Sequence, residues 1–537
     1  LGWLLPPYPD FARDAFCACV FLIAALALLG RARVPWALPP SLPFCLLLLL
    51  LLVPLVQWVL GLIYFAGVAW MSCAYLAGFA MALWCGHHWE CMAPGRGLDA
   101  LFAAIGVAAL VTVCMQCLQW LGLVDSAYWW LAWNEPQHPA GNFDQRNIAA
   151  TFVCWGLCAV AWAGAQRRLG YGSAAALAAF LLWGVALTGS RTAWVGLTLV
   201  LLGTLYWRRL LPSYRVVWLV LALAVYFVLC VVLVASLHLG ADQQTATSLS
   251  SAYAREQIWR IGLKALASQP LQGFGWGQIF SAQLAVADLF PPRPDYLISA
   301  HNLVLDLLLW NGALLGAWAV FVAGRGLLAV SARVCTAHDM VLAFFVVLAL
   351  NHAMLELPLQ YATMLLPLGW VLGALQQRTG DVTAENILVR PVWVAVAMAA
   401  VTTLLVLIVT DYVRLERYTQ DKLQLSLASP LQQQALPELY LLTHLRATQE
   451  MERYPSLQAN ISLSELERLE AIARWSPQNA SALKVAGALA MNGQAERARW
   501  WLARICTLGS ASKCSGAKDS WAYDGRSHPE IAAIDWP

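Results

Sequence analysis

The sequence predicts an all-α polytopic membrane protein of about twelve visible transmembrane helices with a C-terminal soluble helical domain. Three observations carry that prediction. Hydrophobic residues make up 60% of the 537-residue chain and charged residues only 12%, about half the charged share of a soluble protein. Twelve apolar runs, each near the length of a spanning helix, follow one another through residue 410. Basic residues gather in every second short loop between them. Mean hydropathy is +0.63. The net charge of +3 is too small to point to nucleic acid, so membrane lipids are the expected surroundings.

The runs, in order, are Ala15–Gly30, Pro43–Leu60, Ala66–Trp84, Leu101–Trp120, Ile148–Gly164, Ala174–Thr188, Ala193–Trp207, Val216–Leu239, Leu303–Ala323, Met340–Leu357, Tyr361–Leu375 and Val392–Thr410. Leu1–Leu5 reads as the tail of an earlier apolar segment. The basic loops hold Arg31 and Arg33, Arg96, Arg167 and Arg168, Arg208, Arg209 and Arg215, Arg325 and Arg333, and Arg378 and Arg390. The positive-inside rule makes these cytoplasmic. The remaining loops then face outward: the one with Gly141–Asn147, the one with Ser190 and Arg191, the segment 240–300, and the turn after Glu356. The C-terminal segment from Asp411 also faces out. So do the first residues, which in a cytoplasm-first protein expects one more span upstream. The chain is thus read as residues 1–410, a polytopic membrane domain including the outward loop 240–300, and residues 411–537, an outward helical domain.

The outward loops hold the chemistry. Ser299-Ala300-His301-Asn302-Leu303 stands where a polar segment meets an apolar run. An imidazole at that boundary is suited to take a proton from an incoming hydroxyl, because it titrates near neutrality; a helix-start histidine bonded to the backbone would look the same. Gln145, Arg146 and Asn147 put several donors at a helix start, where an anion is favoured. An arginine at membrane depth, Arg191, is expensive and a functional candidate by default, with interfacial snorkelling as its other use. Arg255, Arg260 and Lys264 lie on an amphipathic helical pattern that runs toward Gly273-Phe-Gly275-Trp-Gly277. That glycine run lacks the Lys-Ser/Thr of a phosphate loop. His352 and Glu356, four apart, are expected to share one helix face near Tyr361. Asp306 is expected to pair with Asn302 or to face a cavity.

Beyond Asp411 the chain turns charged. Ala471–Leu508 resembles half a tetratricopeptide unit, with Trp475-Ser-Pro477, Asn492-Gly493 and Ala495-Glu-Arg-Ala498 as its marks. Most of the 14 cysteines lie in apolar runs and read as small hydrophobes. Cys506 and Cys514 are the two in the soluble segment. Seven residues separate them, a loop that lets their Cβ atoms reach bonding distance. An oxidising outer compartment predicts a Cys506–Cys514 disulfide.

Taken together, Gly141-Asn-Phe-Asp-Gln145-Arg-Asn147, Thr188-Gly-Ser-Arg191, Arg255-x-x-Ile258-Trp259 and Ala300-His301-Asn302 resemble the bacterial O-antigen ligase and O-linked oligosaccharyltransferase superfamily. His352-x-x-x-Glu356-x-Pro358-x-x-Tyr361 and Ala486-x-x-Leu489-Ala-Met-Asn-Gly493 resemble its protein-glycosylating branch. Arg146 stands where that branch commonly has proline, and Asn311 where an acidic residue is common.

The resemblance implies an O-oligosaccharyltransferase of the bacterial inner membrane, working on the periplasmic side without a cofactor. Its donor would be an undecaprenyl-diphosphate-linked glycan. Its acceptor would be a Ser or Thr of a periplasmic protein such as pilin, or a lipid A core sugar in the ligase branch. His301 matches the family's base, and Arg191 and Arg255 its diphosphate-holding positions. Arg260, Gln145, Arg146 and Asn147 are read as further diphosphate contacts, and Asn302, Ser190, His352, Glu356 and Tyr361 as supporting residues. The outward loops carry no Asp-x-Asp metal pair, which argues against a metal-dependent N-linked transferase. A polysaccharide polymerase and a lipid-linked sugar transporter are the other readings; polar residues collecting at one side favour an enzyme.

Overall fold

A computed structural model describes residues 9–31, 37–38, 42–124, 138–143, 145–237, 244–293, 296–380, 387–428, 435–455, 457–475 and 479–537. Leu1–Leu5, Arg33, Asp144 of the Gly141–Asn147 motif, Gly240 and the Ser476-Pro477 pair lie outside the described residues.

Each of the twelve apolar runs is helical over most of its described length. In chain order the helices are α1 (Pro9–Arg31), α2 (Leu42–Leu50), α3 (Val53–Val59), α4 (Ala66–Met92), α5 (Arg96–Trp120), α6 (Arg146–Ala165), α7 (Tyr171–Leu187), α8 (Arg191–Tyr206), α9 (Tyr214–Leu237), α10 (Gln244–Ser268), α11 (Ile279–Ala285), α12 (Leu303–Ser331), α13 (Ala337–Ala353), α14 (Ala362–Thr379) and α15 (Pro391–Ala428). The tail adds α16 (Thr443–Arg453), α17 (Leu463–Trp475), α18 (Asn479–Met491), α19 (Ala495–Thr507), α20 (Ala511–Gly525) and α21 (Pro529–Ala532). Among the described residues seven helices, α1, α4, α5, α6, α9, α12 and α15, are long and apolar enough to cross a membrane. The α2–α3 stretch, α7, α8 and α13 are shorter apolar helices. The strand content of the described residues is one two-residue antiparallel pairing, Ala37–Leu38 with Ile387–Leu388. This is an all-α polytopic membrane protein.

Contacts divide the chain into two compact units, each assembled from separated stretches. The first comprises Leu1–Leu48, Tyr75–Ser250 and Val322–Thr402. Within it α6 packs on α5, α7 and α13. Trp155 of α6 stacks on Phe345 of α13 with centroids 4.0 Å apart, and its indole N–H donates to the Phe345 carbonyl at 3.1 Å. In a membrane, where lipid removes the hydrophobic drive between helices, close packing and internal hydrogen bonds hold such contacts. The α4–α14 crossing shows it: a Cβ on Gly86 or on Gly373 would strike a carbonyl of the facing helix. Arg378 of α14 joins Glu90 of α4 at 2.8 Å and Asp339 of α13 at 2.6 Å.

The second unit comprises Leu49–Ala74, Ser251–Phe321 and Thr403–Pro537. Its α12 is broken at Gly312, where φ is 76° and ψ 170°. The break frees the carbonyls of Leu309 and Trp310, and a bare carbonyl inside a membrane protein is costly. The glycine-rich turn supplies the missing donors. Phe274 N–H reaches Leu309 O at 2.8 Å and Gly275 N–H reaches Trp310 O at 3.2 Å. Gln57 donates to Trp310 O at 2.8 Å and accepts from Trp276 N–H at 2.9 Å. The glycines are needed for close approach: a Cβ on Gly273 would lie 2.5 Å from the Gly312 nitrogen.

The segment read as an outward loop is thus largely helical, and its α11 is buried all round. Phe280 and Leu284 join the tail core around Leu489, Trp501 and Leu502, whereas Ile279 and Ala282 join the core of α10 and α12. Cys506 and Cys514 are bonded as a disulfide across 4.7 Å between Cα atoms, tying α19 to α20.

Candidate active site

The residues singled out in the sequence fall into two groups, one in each unit. In the first unit, two helices begin on an arginine: α6 on Arg146 and α8 on Arg191. A cation at a helix N-terminus opposes the helix dipole by about 0.3–1 kcal/mol. Helix stability therefore does not explain either arginine, and an anion would be held well by both the guanidinium and the helix end. Both side chains are exposed.

Behind them lies a hydrogen-bonded cluster. Ser190 caps α8 by accepting from Ala193 N–H at 3.3 Å, the helix-start role for which serine is suited. Its hydroxyl also donates to Asn147 Oδ1 at 2.7 Å. Asn147 Nδ2 donates in turn to Glu356 Oε1 at 3.3 Å. His352, fully buried, shares a 2.9 Å bond between Nδ1 and the Thr151 hydroxyl. Gln145 occupies the N-cap position of α6 without a side-chain cap, and Tyr361 the N-cap position of α14.

The expectation that His352 and Glu356 share a helix face is corrected here. Helix α13 ends at Ala353, and Glu356 sits in the following turn, its N–H on the His352 carbonyl at 2.9 Å. Pro358 opens a separate 3-10 turn, Pro358–Gln360, instead of continuing α13, and the residue before a proline is steered out of the helical region. Thr151, not selected from sequence, belongs to this cluster. So does His138, at the head of the segment that runs to Asn147: its ring lies 3.3 Å from where a Cβ on Gly189 would be, and Arg146 Nη1 lies 4.0 Å from the same point.

The second group surrounds His301. This residue has φ +52°, one of three non-glycine residues with positive φ among the described residues. Histidine enters that region more readily than most residues, yet it remains an uncommon conformation that something must hold. Three short bonds hold it. Asp306 accepts from the Ser299 hydroxyl and from Ala300 N–H, both at 2.7 Å. The Ser299 oxygen accepts from His301 N–H at 2.9 Å. From α10, Trp259 donates to the Ala300 carbonyl at 3.1 Å. Asn302 caps α12, its Oδ1 accepting from Leu305 N–H at 3.1 Å.

Asp306 therefore spends its carboxylate on the His301 loop rather than on the Asn302 side chain. Its own N–H meets the Asn302 carbonyl at 2.9 Å.

Arg255 is half-buried on α10, one turn before Trp259. Arg260 is exposed and paired with Glu256 at 2.6 Å. Five positions along a helix place Arg260 on a different face from Arg255.

Comparison with known proteins bears on what these groups serve. Residues 175–322 match the O-antigen ligase family, a span that contains Arg191, Arg255 and His301. Residues 340–509 match the family described as virulence factor membrane-bound polymerase, C-terminal, a span that contains His352, Glu356 and Tyr361. The chain is 31% identical over 436 residues to the general O-oligosaccharyltransferase of Acinetobacter baylyi, covering 77% of this chain and 74% of that protein. It belongs to the O-oligosaccharyltransferase family. A second relative from the same organism, the ComP-specific O-oligosaccharyltransferase, is 31% identical over 198 residues, or 36% of each chain. The oligosaccharyltransferase described here is therefore a glycosyltransferase.

Proposed function

We propose that the enzyme moves a preassembled glycan from undecaprenyl diphosphate to Ser or Thr hydroxyls of periplasmic proteins such as pilin. His301 takes the proton of the acceptor hydroxyl. The hydroxyl oxygen bonds to the anomeric carbon of the first sugar, and the bond from that carbon to the diphosphate oxygen breaks. The diphosphate lipid leaves as an anion. Guanidinium groups suit that leaving group, because their forked donors match phosphate oxygens and keep their charge at any working pH. Arg191 and Arg255 supply them. Stabilising the charge that grows on the leaving oxygen is worth several kcal/mol of barrier in sites of this kind. No step needs a metal or cofactor.

The observation that carries this reading is a histidine held at positive φ at the start of an apolar helix, within the span that matches the O-antigen ligase family. The alternation of basic loops supports an inner-membrane protein whose segment 240–300 and residues 411–537 face the periplasm. Similarity across 77% of the chain to a general O-oligosaccharyltransferase supports protein as the acceptor. The ligase match supports a second reading, in which the acceptor is a lipid A core sugar. One experiment separates them. The purified protein is mixed with an undecaprenyl-diphosphate-linked oligosaccharide and either a pilin-like protein or lipid A core. Glycan on the protein alone is expected, and glycan on the core alone would replace the first reading with the second.

A further inference from the structure

Asp306 is buried, 4% exposed, in the first turn of α12. A carboxylate there is often explained as a helix cap or as a charge on the helix dipole. Neither explains this one. Asn302 already caps the helix through Leu305 N–H. Asp306 turns back past the helix end, and both its oxygens serve the loop ahead of it.

The loop is clamped at successive polar groups. The Ala300 N–H goes to Asp306, the Ala300 carbonyl to Trp259, and the His301 N–H to a serine hydroxyl that is itself oriented by Asp306. A hydroxyl that donates to a carboxylate must point its lone pairs elsewhere, so Asp306 fixes which way Ser299 accepts. Holding a non-glycine residue in the left-handed region is costly. Hydrogen bonds to a charged group are among the stronger ones in a protein, enough to offset that cost. Without the carboxylate the loop is free to relax, and the imidazole leaves its place.

We propose that Asp306, acting through Ser299 and the Ala300 amide, is a positioning residue that holds His301 in its reactive orientation. This rests on the reading of His301 as the base. The step itself is unchanged: Asp306 touches neither donor nor acceptor and takes no proton. What it governs is the fraction of molecules in which the imidazole is aimed at the acceptor oxygen.

The test uses the full-length purified protein with an undecaprenyl-diphosphate-linked oligosaccharide and a Ser/Thr acceptor protein. Rates are expressed per donor-binding site, so that loss of folded protein does not lower them. Asp306→Asn and Ser299→Ala are each expected to lower kcat by about 10-fold or more, with the donor KM within about twofold of wild type. The double variant is expected to be no slower than the slower single, because both act through one loop. Wild-type kcat in both single variants would overturn the proposal. So would additive losses in the double variant, or a donor KM that rises as kcat falls. If Asp306→Asn does not fold, Ser299→Ala decides alone: wild-type kcat overturns the proposal and a selective loss of kcat supports it. His301→Ala in the same assay separates the two claims. If it transfers at the wild-type rate, the base reading fails; if it is inactive while Ser299→Ala and Asp306→Asn are normal, only the positioning role fails.

Discussion

The polar cluster of the first unit and the His301 loop of the second are built in opposite ways. In the cluster, partners come from far apart in the chain: Ser190 and Asn147 are 43 residues apart, Thr151 and His352 201, and Asn147 and Glu356 209. Its bonds join side chains across the ends of α6, α8 and α13. In the loop, the partners on the same stretch of chain are 2 to 7 residues apart, and all but the Ser299–Asp306 bond join a side chain to backbone. Trp259 is the exception, reaching in from 41 residues away. The first arrangement exists only once three helices have docked. The second is set mostly by local geometry, and aims one side chain.

That difference sets the order of expected effects. The largest is at His301. His301→Ala should insert and fold normally yet lose transfer by about 100-fold or more, the usual contribution of a general base. An initial rate within a few-fold of wild type would mean that the loop aims nothing.

Breaking the cluster should cost less, and in binding rather than in turnover. Asn147→Ala leaves Ser190 and Glu356 each short of a partner, a loss of about 1–3 kcal/mol. Donor KM is expected to rise by about 10-fold at most, with kcat little changed. A selective fall in kcat would place Asn147 with the reacting atoms instead.

Away from both regions, the tail gives stability effects alone. Cys506→Ser should lower tail stability by about 2–3 kcal/mol on the loop-entropy account for so short a ring, with transfer retained at room temperature. Mass spectrometry without reductant reads the bond directly. Two free thiols in protein taken from intact membranes would remove the disulfide and weaken the periplasmic assignment of the tail.

The smallest effect is a pH dependence. Burial beside Trp475 pushes His444 down to about 3. The unfolded chain takes up a proton near pH 6.5 that the folded tail refuses. Stability from the neutral ring is therefore complete above about pH 6.5 and falls as pH drops toward 3, by no more than about 1.4 kcal/mol per pH unit. The midpoint of thermal unfolding should be lower at pH 5.5 than at pH 7.5, and His444→Leu should flatten the difference. An equal slope in the variant would assign the effect to other groups.

What the sequence disclosed follows the same division. The twelve apolar runs were legible because a membrane demands whole helices of apolar residues. Ser299–Asn302 stood out because a polar loop met an apolar run at a histidine. The bonds of Asp306 were not, since nothing in its spacing told whether the carboxylate would turn toward Asn302 or back to Ser299. Glu356 was misread because the i, i+4 rule holds only while the helix continues, and α13 stops at Ala353. The glycine turn at 273–277 looked like a poor phosphate loop. Its partners are the freed carbonyls of a helix broken at Gly312, a contact that appears only in three dimensions. Thr151 gave no local signal at all.

The account divides the labour: arginines hold the donor and His301 moves the proton. Equilibrium binding of the undecaprenyl-diphosphate-linked oligosaccharide to Arg191→Lys, Arg255→Lys and His301→Ala proteins tests that division most directly. Lysine keeps the charge and loses the fork. Both arginine variants are expected to bind the donor about 10-fold or more weakly, and His301→Ala to bind it as wild type does while failing to transfer it. Wild-type donor affinity in either arginine variant, or lost affinity in His301→Ala, would contradict it.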